Sequence, residues 1–595
     1  MISYDEYKQE LESSFSDAGF KFIEDGIDNI KSYRARWFKT YILECLLDGK
    51  HLIIRLALSV NFPIEKPYYF FGNVMDFQFM PHVEKSDNMI CYAFDDGLIL
   101  DYNSPVQIIL ESLNLVIGTV RNGIDKSRFE EFKREYEINW SRLDNLIKVH
   151  SFLDDRDIKV KEVEVLKSKT SLDNELNILV DPLNSNLKEI SYIYELDLEQ
   201  FDSYQGVFIT LKNTSSMPFP NRYKMWNFKQ LRRLILANCS AATKRFLNNI
   251  GFKNNGFYLI LSIPFDNQRI TIGVCIYPNN RNEKDIRFSN ISNDSRVLPV
   301  SYIRLNTDYL VKRTQGSNSF ESYRVLLLGL GSIGSNTLAN LAKMGIKNFA
   351  LVDNDILLPE NSMRHFLGLN HILMGGLYKY KTDALGMYLK SNYADIKVKR
   401  FNKNVKSFID ENLNQIHKEY DLILSTLGSP TYELYLNEFI YKERLGIPVV
   451  YSWIEPLGIG SHILITNNSE KQGCFRCLYT NQDEPNYLVQ NRASFVNAED
   501  NYLRKMQGCH SEFTPYSFLD SQEISINLSK VILEVLNNKF RGNKLISFLG
   551  DSESVLELGF EPSIRYKNIS LTGSKAVEIS VTQNNCLICG GNYEI

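Results

Sequence analysis

The segment Val325-Leu-Leu-Leu-Gly329-Leu-Gly331-Ser-Ile-Gly334 predicts a buried β-strand, a glycine turn and the start of a helix. Four apolar residues at 325–328 are typical of a strand that is covered on both faces. In such a turn the first glycine allows the tight bend, the second lets the backbone approach a phosphate, and the third lets the helix pack on the strand. A second apolar strand, Phe349–Val352, ends at Asp353, where a carboxylate can bind ribose hydroxyls. We therefore predict a nucleotide-binding β-α-β unit.

The bulk composition bounds the kind of protein. A chain of 595 residues predicts three or four domains, and a content of 44% hydrophobic and 23% charged residues is typical of globular domains. The formal net charge of -4 argues against a broad basic surface, so we expect no direct binding of nucleic acid. No apolar run is long enough to cross a membrane, and Met1–Tyr7 does not begin a signal peptide. We therefore expect no membrane partner and a cytoplasmic location.

The nine cysteines comprise scattered residues and two closely spaced pairs. The pairs are Cys474-Phe-Arg-Cys477 and Cys586-Leu-Ile-Cys589, and in a reducing compartment they favour metal binding over disulfides. Two such pairs provide four thiolates, the ligand set of a tetrahedral structural zinc site, even when they are far apart in sequence. We predict a zinc knuckle at Cys474, Cys477, Cys586 and Cys589 that holds the C-terminal end on its domain. The alternatives are two unrelated loop pairs or a redox Cys-x-x-Cys.

The first 125 residues predict a small α+β domain. Tyr4, Tyr7, Leu11 and Phe15 follow helical spacing. Two strands, Tyr41–Leu47 and Leu52–Val60, flank the turn dipeptide Asp48-Gly49. A proline-containing segment then leads to Cys91, and Pro105 begins a further helix.

This order of elements resembles that of ubiquitin-conjugating enzymes over about residues 1–125. The resemblance implies that Cys91, which follows Ile90 as in that family, carries the acyl group. The family's His-Pro-Asn motif is represented here only by His82-Val83, so Asn88 is the nearby substitute for its oxyanion-stabilising asparagine. The alternative is that Cys91 is a small buried core residue, since free cysteines are often buried.

Residues 126–300 predict an α+β linker domain. Apolar residues at helical spacing predict one long amphipathic helix over 129–147. They are Phe129, Phe132, Tyr136, Trp140, Leu143 and Ile147. Strand-like segments at 207–211, 258–263 and 270–277 accompany a helix near 227–249. No chemical constellation is visible in this region, and we interpret Cys239 and Cys275 as core residues.

A polar cluster follows Asp353 and includes Asp355, Asn361, Arg364 and Lys379. A dinucleotide site has no need of this cluster, whereas an attack on an α-phosphate does. Arg364 and Lys379 can hold phosphate oxygens and neutralise the charge that develops during displacement. Asn361 can orient a phosphate or the ribose, and Asp355 can help to hold Mg²⁺. The alternative is a solvated loop with ordinary surface charges.

The set Gly329-x-Gly331-x-x-Gly334, Asp353-x-Asp355, Asn361-x-x-Arg364 and Lys379 resembles the ThiF/MoeB/ubiquitin-activating superfamily. The resemblance covers about residues 301–595. It implies a Rossmann-like domain that uses ATP and Mg²⁺ to adenylate the C-terminal carboxylate of a small protein, usually as a homodimer. It also implies an arginine from a preceding helix, often contributed by the partner subunit, for which Arg313 is the candidate.

One departure from that family concerns the strand Asp421-Leu-Ile-Leu-Ser-Thr. The family usually has a magnesium-binding catalytic aspartate after this strand, whereas this chain has Gly428 in Leu427-Gly428-Ser429. Either Asp355 holds the metal largely alone, or the correspondence is shifted here. The two cysteine pairs do match the family, because its activating members carry this pattern at these places.

A further cysteine, Cys509, lies in Gly508-Cys509-His510, shortly before an apolar helix pattern. In thioester-forming family members a loop crosses the nucleotide site and carries the attacking cysteine at this position. A nearby helix N-terminus can lower the pKa of such a thiol and favour the thiolate. The alternative is a buried structural cysteine.

The activating-like and conjugating-like domains explain each other. Together they resemble the fused activating–conjugating enzymes of bacterial CBASS antiphage operons, and Trp453-x-Glu455-Pro-x-Gly458 strengthens the resemblance. The resemblance implies that the C-terminus of a cGAS-like nucleotidyltransferase is joined to an amine on a protein or small molecule. We predict four steps: adenylation, a thioester on Cys509, transfer to Cys91, and amide formation.

Two other classes of protein stay open. One is a sulfur-carrier adenylyltransferase of ThiF/MoeB type, in which the N-terminal domain is a non-catalytic scaffold. The other is a binding protein with a degenerate nucleotide site. This class stays open because Gly428 stands where the family usually has its catalytic aspartate. A nicotinamide oxidoreductase is disfavoured because it leaves Arg364, Lys379 and the thiolates unexplained. The predicted fold is α/β multidomain: a conjugating-like domain (1–125), a linker domain (126–300) and an adenylation domain with a zinc knuckle (301–595).

Overall fold

A computed structural model describes the chain from residue 4 to residue 590, with gaps. The residues outside the description are 1–3, 28–31, 33, 75–79, 94–96, 125–134, 154–157, 170–175, 183–186, 195–199, 213–224, 266–267, 280–284, 317–319, 374–377, 394, 413–414, 480–490, 498–499, 506–511, 584–585 and 591–595. Cys509 is therefore outside the described residues. Among the helices that are described, none is long and apolar enough to cross a membrane.

The chain divides into two compact units, Met1–Ser185 with Glu199–Arg304, and Asn186–Leu198 with Leu305–Ile595. The finer division into three domains stays a prediction.

The first unit begins with a small antiparallel sheet. Its elements are α1 (Tyr4–Asp17), β1 (Lys21–Glu24), β2 (Trp37–Leu47), β3 (Lys50–Ser59), β4 (Tyr68–Phe71) and α2 (Pro105–Ile124). The strands pair in the order β1-β2-β3-β4. The predicted turn between β2 and β3 forms, because Asp48 and Gly49 both adopt positive φ, as a tight hairpin turn requires. Tyr7, Leu11 and Phe15 are buried, so the predicted apolar face of α1 packs into this core.

The same unit continues with a closed seven-stranded barrel, in the order β10-β11-β13-β5-β7-β6-β8. The elements are α3 (Tyr136–Trp140), β5 (Ile147–Ser151), β6 (Val160–Ser168), β7 (Asn177–Val180), α4 (Leu187–Tyr194), β8 (Phe201–Thr210), α5 (Phe228–Asn238), α6 (Ala241–Asn249), β9 (Gly251–Lys253), β10 (Phe257–Phe265), β11 (Gln268–Tyr277), β12 (Asp285–Arg287) and β13 (Arg296–Arg304). Helix α4 belongs to the second unit. Cys239 and Cys275 are buried, in agreement with their interpretation as core residues.

The predicted long helix over 129–147 is wrong in its C-terminal half. Residues 129–134 lie outside the described part of the chain, and α3 ends at Trp140. Ile147 begins β5 and pairs with Val300 of β13. The buried residues of this segment, including Trp140 and Leu143, do join a hydrophobic core, together with residues of β8, β10, β11 and helices α5 and α6. The apolar spacing therefore indicated burial correctly, but tertiary pairing determined the backbone conformation.

The second unit is built on an eight-stranded sheet in the order β16-β15-β14-β17-β18-β19-β22-β23. The strands of this unit, including two outside the sheet, are β14 (Arg324–Leu328), β15 (Asn348–Val352), β16 (Lys397–Phe401), β17 (Leu422–Ser425), β18 (Val449–Ile454), β19 (Gly460–Thr466), β20 (Arg504–Lys505), β21 (Glu512–Phe513), β22 (Lys544–Leu549) and β23 (Ala576–Ile579). Strands β14–β18 pair in parallel, and β19, β22 and β23 extend the sheet in antiparallel fashion. The pair β20–β21 is separate.

Helices cover both faces of this sheet. They are α7 (Thr307–Gln315), α8 (Ser332–Lys343), α9 (Leu369–Leu373), α10 (Lys381–Asn392), α11 (Val405–Asn412), α12 (Ile416–Glu419), α13 (Pro430–Lys442), α14 (Phe518–Leu536), α15 (Glu553–Glu557) and α16 (Ile564–Leu571). Val325 and Leu327 of β14 join the core under α8 and α14, whereas Leu326 and Leu328 join the core on the α11 and α13 side. This alternation explains why β14 is a continuous apolar run.

Candidate active site

The glycine turn lies between β14 and α8, as predicted. Gly329 adopts a φ of 86°, which favours glycine, and a Cβ on Gly334 would lie 2.2 Å from the Gly329 carbonyl oxygen. A Cβ on Gly331 would meet nothing within 4 Å, so this residue faces open space. Strand β14 pairs with β15 on one side and β17 on the other, which places the turn at the carboxyl-end crevice of the parallel strands. Such a crevice, with the N-terminus of α8 beside it, is where nucleotide phosphates bind.

Two side chains hold the peptide groups of Leu330, the residue between the first two glycines. The amide of Leu330 donates to Asp353 Oδ2 at 2.7 Å. Its carbonyl accepts from His365 Nε2 at 3.1 Å, and His365 Nδ1 accepts from the Leu367 amide at 3.0 Å, which fixes the tautomer. Burial lowers the pKa of His365 to about 4, so the ring is neutral near pH 7. The turn is therefore held in position from both sides.

Asp353, predicted to bind ribose, is buried, and its carboxylate accepts hydrogen bonds from two backbone amides. Besides Leu330, the Asp355 amide donates to Asp353 Oδ1 at 2.8 Å. Burial raises the pKa of Asp353, although Lys381 and both amides oppose the shift. Each carboxylate oxygen keeps acceptor capacity, because one hydrogen bond occupies only one of its two lone-pair directions. The role of Asp353 toward ribose stays a prediction.

Lys381 is a residue that sequence reasoning missed. Its Nζ lies 2.8 Å from Asp355 Oδ2, its side chain is only 9% exposed, and it is the first residue of α10. The predicted lysine, Lys379, is only partly buried, and its Nζ lies 3.5 Å from the Met387 sulfur. Asp355 is 63% exposed, and its role as a magnesium ligand stays a prediction. Lys379 and Lys381 are two positions apart in the sequence. What distinguishes them is that the helix begins at Lys381.

Asn361 and Arg364 lie in the loop that follows β15. Asn361 ends a short 3₁₀ turn, Pro359–Asn361, and its side-chain oxygen accepts from the Leu358 amide at 3.0 Å. The Arg364 guanidinium lies over the ring of Tyr516, 4.4 Å from the ring centroid. Among the described residues no hydrogen bond or ion pair of the Arg364 side chain is found, so its N–H groups can serve an anion.

The end of β17 supports the turn from the other side. Thr426 Oγ1 donates to the Gly329 carbonyl at 2.8 Å. One residue earlier, Ser425 Oγ donates to Glu433 Oε1 at 2.9 Å. Glu433 is 2% exposed, and burial raises its pKa to about 8. Its carboxyl group is therefore largely protonated at pH 7, and nothing in the sequence of α13 indicated it.

Gly428 lies where β17 leads into α13, with a φ of 62°. Thr426, Leu427, Gly428 and Ser429 provide no carboxylate at this strand end. Arg313 lies in the last turn of α7 and is exposed, and no hydrogen bond or ion pair joins it to the described residues. Its assignment as an arginine that acts across subunits stays a prediction.

The four paired cysteines come together, as predicted. All four are buried, and their sulfur atoms lie within 4.8 Å of one another. The Sγ–Sγ distances are 4.0 Å for Cys474–Cys477, 3.7 Å for Cys474–Cys586 and 3.4 Å for Cys477–Cys589. A zinc tetrahedron with Zn–S bonds of about 2.3 Å has S–S edges of about 3.8 Å, so the cluster fits Zn²⁺. It joins the segment after β19 to the segment after β23.

Cys91 lies in a loop of the first unit and is half-buried. Its amide donates to the His82 carbonyl at 2.8 Å, and its sulfur lies 3.9 Å from Glu84 Oε1. Burial raises the pKa of the Cys91 thiol, and the carboxylates of Glu84 and Glu135 add to the shift. Asn88 is in the same loop with a φ of 61°, and its role as an oxyanion donor stays a prediction.

Residues 135–144 of the linker segment hold the Cys91 loop through two ion pairs and one carboxylate–histidine contact. Glu135 Oε1 lies 2.7 Å from His82 Nδ1, and Glu135 Oε2 accepts from the His82 amide at 2.7 Å. Arg142 pairs with Glu84 at 2.7 Å. Lys85 pairs with the exposed Asp144, also at 2.7 Å. The surroundings of Cys91 are therefore built partly from residues beyond the predicted boundary at 125.

Two family models match separate parts of the chain. Residues 306–509 match the ThiF family, and residues 28–149 match the prokaryotic E2 family B. The predicted resemblance to an activating family and, in the N-terminal part, to a conjugating family is therefore confirmed, as is the α/β multidomain fold.

Curated relatives match over part of the chain. "Adenylyltransferase and sulfurtransferase UBA4" of Saccharomyces cerevisiae is 28% identical over 33% of this chain and 43% of that protein. "ATP-dependent ubiquitin transferase-like protein Cap2" of Pseudomonas aeruginosa is 25% identical over 31% of this chain and 32% of that protein. The chain thus spans less than half the length of these relatives. A solved structure of Escherichia coli MccB with succinimide has a TM-score of 0.32 and 17% identity, over 48% of this chain and 69% of that one, which is too distant to inform the site.

Proposed function

We propose that this protein uses ATP to join the C-terminal carboxylate of a target protein to an amine, through an acyl-adenylate and two cysteine thioesters. The observation that carries the proposal is the preformed glycine turn. Lys381 and Arg364 lie at the same edge of the sheet as this turn, and the space beside Gly331 is open. The ThiF and prokaryotic E2 matches support it. A cytoplasmic setting suits it, because ATP is present there and thiols stay reduced.

The first step forms the adenylate. A carboxylate oxygen of the target attacks the α-phosphorus of ATP, the bond to the β-phosphate breaks, and pyrophosphate leaves. The amides of the glycine turn and the N-terminus of α8 can bind phosphate oxygens, while Arg364 and either Lys379 or Lys381 can neutralise developing charge. Asp355 is the described carboxylate best placed to hold Mg²⁺, which would stabilise charge on the phosphates.

The later steps move the acyl group between sulfur atoms. The Cys509 thiolate attacks the acyl carbon and AMP leaves, and then the Cys91 thiolate attacks the thioester and the Cys509 thiolate leaves. An amine finally attacks the second thioester, Cys91 leaves as thiolate, and the amine loses a proton. Because burial raises the pKa of Cys91, its thiol must lose a proton on reaction, and Glu84 Oε1 is 3.9 Å away. Zn²⁺ would bind the four clustered cysteines and act structurally.

The proposed target is the C-terminus of a cGAS-like nucleotidyltransferase in antiphage defence, as the resemblance to CBASS enzymes implies. The proposed assembly is a homodimer formed through the adenylation domain, with Arg313 reaching the partner's site. The relative named an ubiquitin transferase-like protein supports conjugation as the outcome.

A second function is supported by the match to an adenylyltransferase and sulfurtransferase. In that case the adenylate passes to sulfur, the product is a thiocarboxylate on a sulfur carrier, and the N-terminal domain is a scaffold. The two functions differ in whether the thiol of Cys91 is needed.

A non-reducing gel of the enzyme with ATP and the purified nucleotidyltransferase tests the proposal. We expect thiol-sensitive adducts that Cys509→Ala abolishes, whereas Cys91→Ala leaves the Cys509 adduct and removes the final conjugate. Cys45→Ala is the matched control, since Cys45 is another half-buried cysteine of the first unit. Conjugation that survives both Cys509→Ala and Cys91→Ala contradicts the relay, and a thiocarboxylate product insensitive to Cys91→Ala supports the sulfur-carrier function.

A further inference from the structure

Tyr516 contacts the nucleotide turn at two places. Its hydroxyl hydrogen-bonds with the Ser332 hydroxyl at 2.8 Å, and Ser332 is the first residue of α8 after the glycine turn. Its ring lies under the guanidinium of Arg364 at 4.4 Å. One side chain therefore bridges the glycine turn and the arginine predicted to bind phosphate.

The backbone on either side of Tyr516 is also fixed. The Pro515 carbonyl accepts from the Leu457 amide at 2.7 Å. Ser517 and Asp520 form a capping box at the start of α14. The position of Tyr516 is thus set by the turn after β18 and by the first turn of α14.

A third contact joins α14 to α8 directly. Gln522 Nε2 donates to Asn336 Oδ1 at 2.7 Å, and Asn336 Nδ2 donates to the carbonyls of Ser332 at 2.7 Å and Arg364 at 3.2 Å. The start of α14, the start of α8 and the backbone of Arg364 therefore form one hydrogen-bonded group. Tyr516 is the member of this group that contacts the Arg364 side chain.

Stacking on a ring leaves the donors of a guanidinium available. The attraction acts on the face of the group, whereas its five N–H bonds point outward in its plane. Arg364 is thereby held in one orientation without using its N–H groups. An arginine held in this way loses less conformational freedom when it binds a phosphate than a free surface arginine does.

We propose that Tyr516 is a positioning residue that orients Arg364 toward a phosphate of ATP. Adenylation then depends on whether residues 512–517 lie against the glycine turn. The inference rests on the proposed function. It also gives that function a control point, because residues 512–517 follow the predicted thioester-forming Cys509 closely in sequence. If residues 512–517 move away from the glycine turn, Arg364 loses its contact with the Tyr516 ring. Phosphate binding and the packing of residues 512–517 on the turn therefore favour each other.

A double-mutant cycle tests the inference. The single variants are Tyr516→Leu, which removes the ring, and Arg364→Ala, and the readout is target-dependent ATP–pyrophosphate exchange with KM and kcat for ATP. We expect Tyr516→Leu to reduce kcat/KM about 10- to 100-fold, and to change it less than about threefold in the Arg364→Ala background. Tyr516→Phe keeps the ring and should retain most of the activity. Equal losses in both backgrounds overturn the inference, as does full activity of Tyr516→Leu.

Tyr435→Leu is the matched control. Tyr435 also lies near a cation, with Lys406 Nζ 5.3 Å from its ring centroid, and its hydroxyl bonds Asp410, but these groups lie on α11 and α13. We expect this variant to leave exchange unchanged.

A binding measurement separates failure of the inference from failure of the proposed function. Wild-type protein should bind ATP more tightly than adenosine, and Tyr516→Leu should weaken ATP binding about tenfold while leaving adenosine binding unchanged. If the wild type binds ATP in this way but catalyses no exchange, the proposed function fails, whereas the orientation of Arg364 by Tyr516 stands. If Tyr516→Leu weakens ATP and adenosine equally, the residue supports only the fold, and the inference fails.

Discussion

Glu433 should make the stability of the adenylation fold depend on pH in a way that one substitution removes. The carboxyl group is 2% exposed, accepts from Ser425 Oγ at 2.9 Å and from the Leu427 amide, and has a pKa raised by burial from 4.5 to about 8. Its folded-state pKa is therefore above its unfolded value. The stability that the protonated group contributes is fully present below about pH 4.5 and is lost as the pH rises through about 8.

The size of the effect follows from the shift. At about 1.4 kcal/mol for each pKa unit, the rise from 4.5 to about 8 corresponds to a loss of roughly 5 kcal/mol, as an upper bound for a group this deeply buried. Glu433→Gln keeps the volume and the acceptor oxygen but cannot ionise. We expect the wild type and the variant to be similarly stable near pH 5, and the variant to be several kcal/mol more stable near pH 9.

Hydrogen–deuterium exchange of peptides that contain Leu422–Ser425, corrected for intrinsic rates, reports on this strand without requiring two-state unfolding of the whole chain. Protection should fall between about pH 4.5 and 8 in the wild type and stay level in Glu433→Gln. Glu438→Gln is the matched control, because Glu438 is an exposed glutamate on the same helix, α13. Parallel pH profiles of wild type and Glu433→Gln would show that Glu433 is not protonated in the folded protein.

Three further predictions concern the phosphate site, the Cys91 loop and the cysteine cluster. Lys381→Met should reduce ATP–pyrophosphate exchange at least 100-fold without unfolding, whereas Lys379→Met should reduce it less than tenfold, because only Lys381 is buried against Asp355; the reverse order contradicts this assignment. Burial raises the pKa of Glu135, but hydrogen bonds from His82 lower it more, so its contribution is present above pH 4.5 and lost as the pH falls through the folded value. Glu135→Gln should therefore cost the 82–91 segment about tenfold in exchange protection at pH 7, and unchanged protection argues against the linker contact. Cys586→Ser should lower bound zinc, measured by mass spectrometry of metals, from one per chain to none and lower the thermal midpoint, with Cys239→Ser as the control; full zinc content in Cys586→Ser excludes the site.

The parts of the site that the sequence predicted are those encoded by short local patterns. The apolar run of β14 and the spacing of its glycines define the turn, and Cys-x-x-Cys repeated twice defines the cysteine cluster. Each pattern is readable because its residue types have few other uses at that spacing.

The parts that the sequence did not predict depend on tertiary contacts. Glu433 resembles any exposed helix glutamate until α13 packs it under Ser425. Lys381 and Lys379 differ only in which of them begins α10, and helix boundaries are the least readable feature of a sequence. The helix expected to continue to Ile147 gave way because Ile147 pairs with β13. The contact between Tyr516 and Arg364 joins residues far apart in the chain, so no local pattern encodes it.

The central claim is that the glycine turn serves carboxylate adenylation rather than simple nucleotide binding. Pyrophosphate exchange into ATP, measured with the purified nucleotidyltransferase as the target, tests it most directly. We predict exchange that requires the target, is lost when the target's C-terminal carboxylate is converted to an amide, and falls at least 100-fold in Arg364→Ala. Exchange that is absent with the intact target, or equal with the amidated one, would contradict the account.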